Sequence, residues 1–117
     1  MSQFLEKFRM AGGDADGVME RFMDDEELFR ECLQQFVDED DFAKLQVVFG
    51  ERDYKQAFDI SHSLKGVTGN LGITDTYTKL CKFVDSLRNE RYDELEEQLE
   101  AVMAAKSVFL EKYKDMV

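Results

Sequence analysis

The sequence contains no proline. Proline breaks helix interiors, so a chain without it is free to form long uninterrupted helices. Basic residues are scarce, 15 Lys and Arg against 26 Asp and Glu, for a formal net charge of −11. That deficit argues against nucleic acid as a partner, because phosphate backbones are bound by a surplus of Lys and Arg. It argues equally against docking on an anionic membrane surface. No stretch approaches the ~18 consecutive apolar residues of a membrane span. The first ten residues carry Glu6 and no long apolar core, so no secretory signal is expected, and the expected location is the cytoplasm. Cysteine is limited to Cys32 and Cys81, both at apolar positions of helical repeats. They are expected as reduced core residues, since the single histidine is far from both in sequence and no metal-ligand set is assembled. A G-x-x-x-x-G-K-[ST] loop and a kinase glycine loop are both absent, so the chain has no means of its own to draw a phosphoryl group from ATP.

What is present is helical patterning. A length of 117 residues fits one domain, 1–117, with a single core. Phe4, Leu5 and Phe8 give a short amphipathic stretch, broken at Ala11-Gly12-Gly13. Asp14 is a candidate cap for a short helix carrying Val18 and Phe22. Asp24 and Asp25 open a segment to about Asp38, with Leu28, Phe29, Cys32, Leu33 and Phe36 at three- and four-residue spacing. Asp40 or Asp41 starts another, with Phe42, Leu45, Val48 and Phe49 inward, ended by Gly50. Asp53 and Gln56 form a capping-box-like pair before a helix to about Leu71, stopped by Gly72. Thr74 or Asp75 is the expected cap of the next, which buries Tyr77, Leu80, Cys81, Val84 and Leu87. The last helix is expected over about Tyr92 to Met116. No alternating strand pattern is sustained. The expected fold is all-α, an antiparallel up-down four-helix bundle over about 25–116 with additional short helices in about 1–24. A monomer is expected, because the two-faced helices satisfy one core.

One segment breaks the helical rules. Ser61-His62-Ser63-Leu64-Lys65-Gly66-Val67-Thr68-Gly69-Asn70-Leu71-Gly72 lies inside a helix by pattern, yet holds Gly66 and Gly69. A mid-helix glycine costs about 1 kcal/mol relative to alanine. At about 100° per residue, Tyr54, Ala57, Ser61, Leu64 and Thr68 cluster in one direction, and His62 points roughly 120° away from them. His62 is therefore expected on an exposed flank. Gly66 and Gly69, four and seven residues on, share its strip, and Lys65 stands beside it. An imidazole, with its ordinary pKa of about 6.5, offers a neutral nitrogen nucleophile near neutral pH. Bare backbone leaves room for an in-line approach, and Lys65 can offset charge on phosphoryl oxygens. The residues thus point to phosphoryl transfer through His62, with Lys65 for charge stabilisation and Gly66 and Gly69 for access; close helix–helix contact is the alternative for either glycine, Gly69 above all, because it lies nearer the core edge.

His62-Ser63-Leu64-Lys65-Gly66, followed by Gly72, resembles the H-x-L-K-G-x(5)-G signature of histidine-containing phosphotransfer (HPt) domains. Asp53-Tyr54 resembles the acidic–aromatic pair that opens the histidine-bearing helix of that family. The resemblance implies an exposed histidine that carries a phosphoryl group to or from aspartates of receiver domains in a multistep, two-component phosphorelay. It implies that His62 is phosphoryl acceptor and donor, Lys65 the charge-stabilising neighbour and Gly66 the residue that keeps access open. The expected partners are receiver domains of response regulators or hybrid sensor kinases. Mg²⁺ is implied on the receiver, with no metal or cofactor on this chain. The chain is expected to be a phosphoryl carrier rather than an enzyme. The alternatives are a helical adaptor without phosphotransfer, and the phosphotransfer portion of a hybrid or chemotaxis-type sensor kinase.

Overall fold

In the computed structural model the chain is all-helical. The structure describes residues 2–117; Met1, the first residue of the expected domain, lies outside the described residues. Among the described residues there are seven helices and no strand: α1 (Gln3–Met10), α2 (Ala15–Arg21), α3 (Glu26–Asp38), α4 (Asp41–Gly50), α5 (Tyr54–Asn70), α6 (Thr74–Arg88) and α7 (Leu95–Lys114). None is long and apolar enough to cross a membrane.

Four helices start where a short polar side chain accepts a bond from the first turn, satisfying an otherwise orphan N–H. Ser2 Oγ accepts from Leu5 N (3.1 Å), Asp14 Oδ1 from Gly17 N (3.1 Å), Asp25 Oδ1 from Leu28 N (3.0 Å) and Asp53 Oδ1 from Gln56 N (3.1 Å). The Gln56 amide also donates to Asp53 Oδ2 at 2.7 Å. These bonds to the ionised form, the backbone one foremost, hold the Asp53 carboxyl below its ordinary range. Two boundaries differ from expectation. The N-cap of α6 is Ile73, not Thr74 or Asp75, and makes no side-chain cap bond. The last helix begins at Leu95, not near Tyr92. There Glu90 adopts φ 54° and Arg91 N donates to Ser86 O at 2.9 Å, closing α6 before α7 can begin.

The connections from α4 to α5 and from α5 to α6 are three residues each, and α5 packs along both neighbours while α6 packs along α7. Leu45, Leu80, Phe83 and Val102 of these helices are fully buried in one core with Phe29 and Leu33 of α3. The N-terminal helix belongs to the same core: Phe8 is fully buried, its ring edge-on to Phe29 (5.1 Å between centroids) and to Phe109 (6.3 Å). Cys32 and Cys81, expected in the core, are free thiols only half-buried, each on the rim of its helix's apolar face.

A joint at the end of α5 ties the N-terminal helices to it. Gly72 ends α5 at φ +67°, and a Cβ there would stand 2.7 Å from Val18 Cγ1 and 3.2 Å from Asp14 O. Asp14 N donates to Gly72 O at 3.0 Å, and the Arg21 guanidinium donates to Asn70 O (3.0 Å) and Gly69 O (3.2 Å). Arg21 thereby covers the last carbonyls of α5, where a cation also complements the helix dipole. Both conformation and space at Gly72 exclude a side chain. Gly72→Ala is expected to destabilise the chain by about 2 kcal/mol or more, read as a lowered midpoint of urea unfolding.

Candidate functional site

α5 is buried along one line. Ala57, Ser61, Leu64 and Thr68 are inaccessible or nearly so, and Leu71 continues the line past the helix end. Two of these positions are polar, and both satisfy themselves within the helix. Ser61 Oγ donates to Ala57 O at 2.7 Å, and Thr68 Oγ1 donates to Leu64 O at 2.9 Å. Small buried side chains bring α5 close to its neighbours and fix its rotation.

With that rotation His62 and Ser63 face solvent, and Lys65 lies half-buried one turn beyond the histidine. Lys65 makes no ion pair among the described residues. Gly66 is exposed, and a Cβ placed on it would meet nothing within 4 Å. Beside it lies an open depression of about 490 Å³, bordered by Asp14, Lys65, Gly66, Gly69, Asn70 and Tyr77. His62, Lys65 and Gly66 therefore share one accessible strip.

Gly69 differs. A Cβ there would stand 3.0 Å from Tyr77 Cε1 and 3.2 Å from Cδ1. The half-buried Tyr77 ring of α6 stands where a Gly69 side chain would go, so this glycine lets α5 and α6 pack closely at the edge of the depression. The neighbouring Cys81 thiol, one turn further along α6, is the main cause that pushes the Tyr77 phenol above its ordinary range.

Sequence reasoning did not find the contacts of the imidazole itself. The His62 ring stacks on Phe58, one turn earlier, with centroids 5.6 Å apart and planes inclined by 18°. The Arg88 guanidinium of α6 lies over the same Phe58 ring, Cζ 5.5 Å from its centroid. The four-residue spacing of Phe58 and His62 was a readable signal for the stack. Arg88 gave none, because only the packing of α6 on α5 brings it there. Arg91 occupies Asp85 at 2.8 Å, and Arg88 makes no ion pair among the described residues.

Charge is distributed unevenly around this site. Of the 15 basic residues of the chain, five (Lys55, Lys65, Lys79, Lys82 and Arg88) lie on α5 and α6, against three of the 26 acidic ones. The helix pair that carries His62 is thus net positive within a strongly negative molecule. Among the described residues no group of three His, Cys, Asp or Glu side chains is placed to hold a metal ion.

The two glycines give a direct contrast. Gly66→Ala is expected to stabilise the chain by about 1 kcal/mol, because the helix gains propensity and nothing is displaced. Gly69→Ala is expected to forfeit that gain, because Tyr77 must move; urea unfolding of both variants measures the difference. No protein-family model, no curated protein and no solved structure matches this chain.

Proposed function

We propose that this chain is a histidine phosphotransfer protein of a two-component phosphorelay, in which His62 accepts a phosphoryl group from one receiver-domain aspartate and yields it to another. One observation carries the reading: His62 is exposed one turn before Gly66, a helical glycine over which a side chain would find only open space. The H-x-L-K-G-x(5)-G spacing of His62, Leu64, Lys65, Gly66 and Gly72 supports it. In the reading, an antiparallel four-helix bundle lies within α3 to α7, with α1 and α2 as the additional short N-terminal helices, and the chain works as a monomer in the cytoplasm.

The transfer is a displacement at phosphorus. The imidazole lone pair forms the N–P bond as the acyl-phosphate O–P bond of the donor breaks, and the donor aspartate leaves as a carboxylate. The reverse step passes the group to the next aspartate. Lys65 offsets charge on the phosphoryl oxygens. Gly66 admits the rim of the partner's site close to the imidazole. The Mg²⁺ that such a reaction uses is assigned to the receiver, and this chain contributes the nucleophile without a cofactor. The positive balance of α5 and α6 suits a partner whose reacting group is an aspartate.

Incubation with a phosphorylated receiver domain is expected to place acid-labile, base-stable phosphate on the wild-type chain and none on His62→Gln. Absence of label on the wild type, or equal label on the variant, overturns the reading. Lys65→Ala is expected to slow transfer about two- to fivefold, the scale of one exposed charge contact. Gly66→Leu is expected to keep the fold while slowing transfer by about tenfold or more, through displacement of the partner. Rapid-quench kinetics with a single phosphorylated receiver measure both.

A further inference from the structure

The contact that constrains the His62 imidazole is aromatic. Its ring lies nearly parallel to that of Phe58, at 5.6 Å and 18°. Phe58 is itself held: its ring is half-buried, packs against the core and lies beneath the Arg88 guanidinium of α6. An exposed histidine on a helix otherwise samples several rotamers. A stack on a ring that is anchored from below favours the rotamer in which the imidazole plane follows that of Phe58. No hydrogen bond to the imidazole occurs among the described residues, so no polar partner blocks either ring nitrogen.

We propose that Phe58 is a positioning residue for His62: it fixes the plane of the imidazole by stacking, so that the attacking nitrogen is presented in one orientation, and Arg88 steadies Phe58 from α6. The assignment rests on His62 being the phosphoryl acceptor proposed above. An aromatic pair contributes about 0.5–1.5 kcal/mol beyond area burial. If that amount is used to hold the reactive rotamer, its loss slows attack by about two- to tenfold, with the effect on the rate constant of the chemical step and not on partner affinity.

Phosphoramidate tests this without a docking partner. The imidazole lone pair forms the N–P bond as the P–N bond of the donor breaks. The leaving nitrogen departs as ammonia with the protons it already carries in the zwitterionic donor. The full chain is compared with Phe58→Leu, which keeps apolar bulk, and Phe58→Tyr, which keeps the ring. Thermal unfolding of each variant confirms that it is folded. Phe58→Leu is expected to be phosphorylated on His62 about two- to tenfold more slowly, and to move the imidazole C–H proton resonances downfield as the ring current of Phe58 is lost. Phe58→Tyr is expected to restore both rate and shift. A wild-type rate in Phe58→Leu, or imidazole resonances that do not move, overturns the positioning role. With a phosphorylated receiver as donor, the same variant is expected to lower the maximal transfer rate and leave the half-saturating receiver concentration unchanged; a rise in that concentration alone overturns the role. Wild-type chain that reacts with phosphoramidate but never with a phosphorylated receiver overturns the relay reading instead, and leaves the stacking result to stand or fall separately.

Discussion

The buried line of α5 depends on two hydroxyls that bond into their own helix. Ser61 and Thr68 are wholly inaccessible, and a buried hydroxyl without a partner is destabilising by about 1–3 kcal/mol. Each escapes that penalty by donating to the carbonyl four residues back. With Ala57 on the same line, three of the four enclosed positions of α5 carry small side chains, and Leu64 is the one large one. The rotation of α5 about its axis is then set by which residues are small enough to be enclosed. Once Ser61 and Leu64 point inward, His62 points outward, and Lys65 and Gly66 follow on its strip. The site is a consequence of how the opposite side of the same helix is packed.

The helix ends show a division between local and distant causes. Asp14, Asp25 and Asp53 act on the turn that follows each, so they were legible as caps from sequence. The exposure of His62 was legible for a similar reason, since helical periodicity alone assigns it to the far side from Ala57, Leu64 and Thr68. What sequence did not disclose depends on neighbours brought together by folding. Gly69 shares the strip of Gly66 on a helical wheel, but the Tyr77 ring from α6 covers only one of the two. Cys32 and Cys81 have apolar spacing, yet each falls at the margin of its buried face, where periodicity does not distinguish rim from centre. Ile73 caps α6 because the chain is still turning through Gly72, a joint fixed by Val18 and Asp14 from the other end of the chain.

The net charge of −11 describes the molecule poorly at the place where function is proposed. Acidic side chains crowd the first turns of α3 and α7, where Glu26, Glu27, Glu96 and Glu97 complement the positive ends of those helices. α5 has neither acidic residues in its first turn nor basic residues in its last. Its C-terminal carbonyls are instead covered by Arg21 from α2. Lys65 therefore lies along the body of α5, away from both ends of its own helix. A bulk property that argues against nucleic acid as a partner is thus compatible with a local field that attracts an anionic group.

Gly66 is where a purely structural account of the site fails. Glycine in a helix interior is explained when a neighbouring backbone or ring occupies the place of its side chain, as Tyr77 does at Gly69, or when φ is positive, as at Gly72. Neither applies at Gly66: its backbone is helical and the space above it is empty. An alanine there would fit and would strengthen the helix. The fold therefore gives up about 1 kcal/mol at this position without a packing return, one turn from the only histidine of the chain. In the proposed reading that open space is where the partner's site approaches, and His62, one turn earlier on the same strip, is the group it approaches.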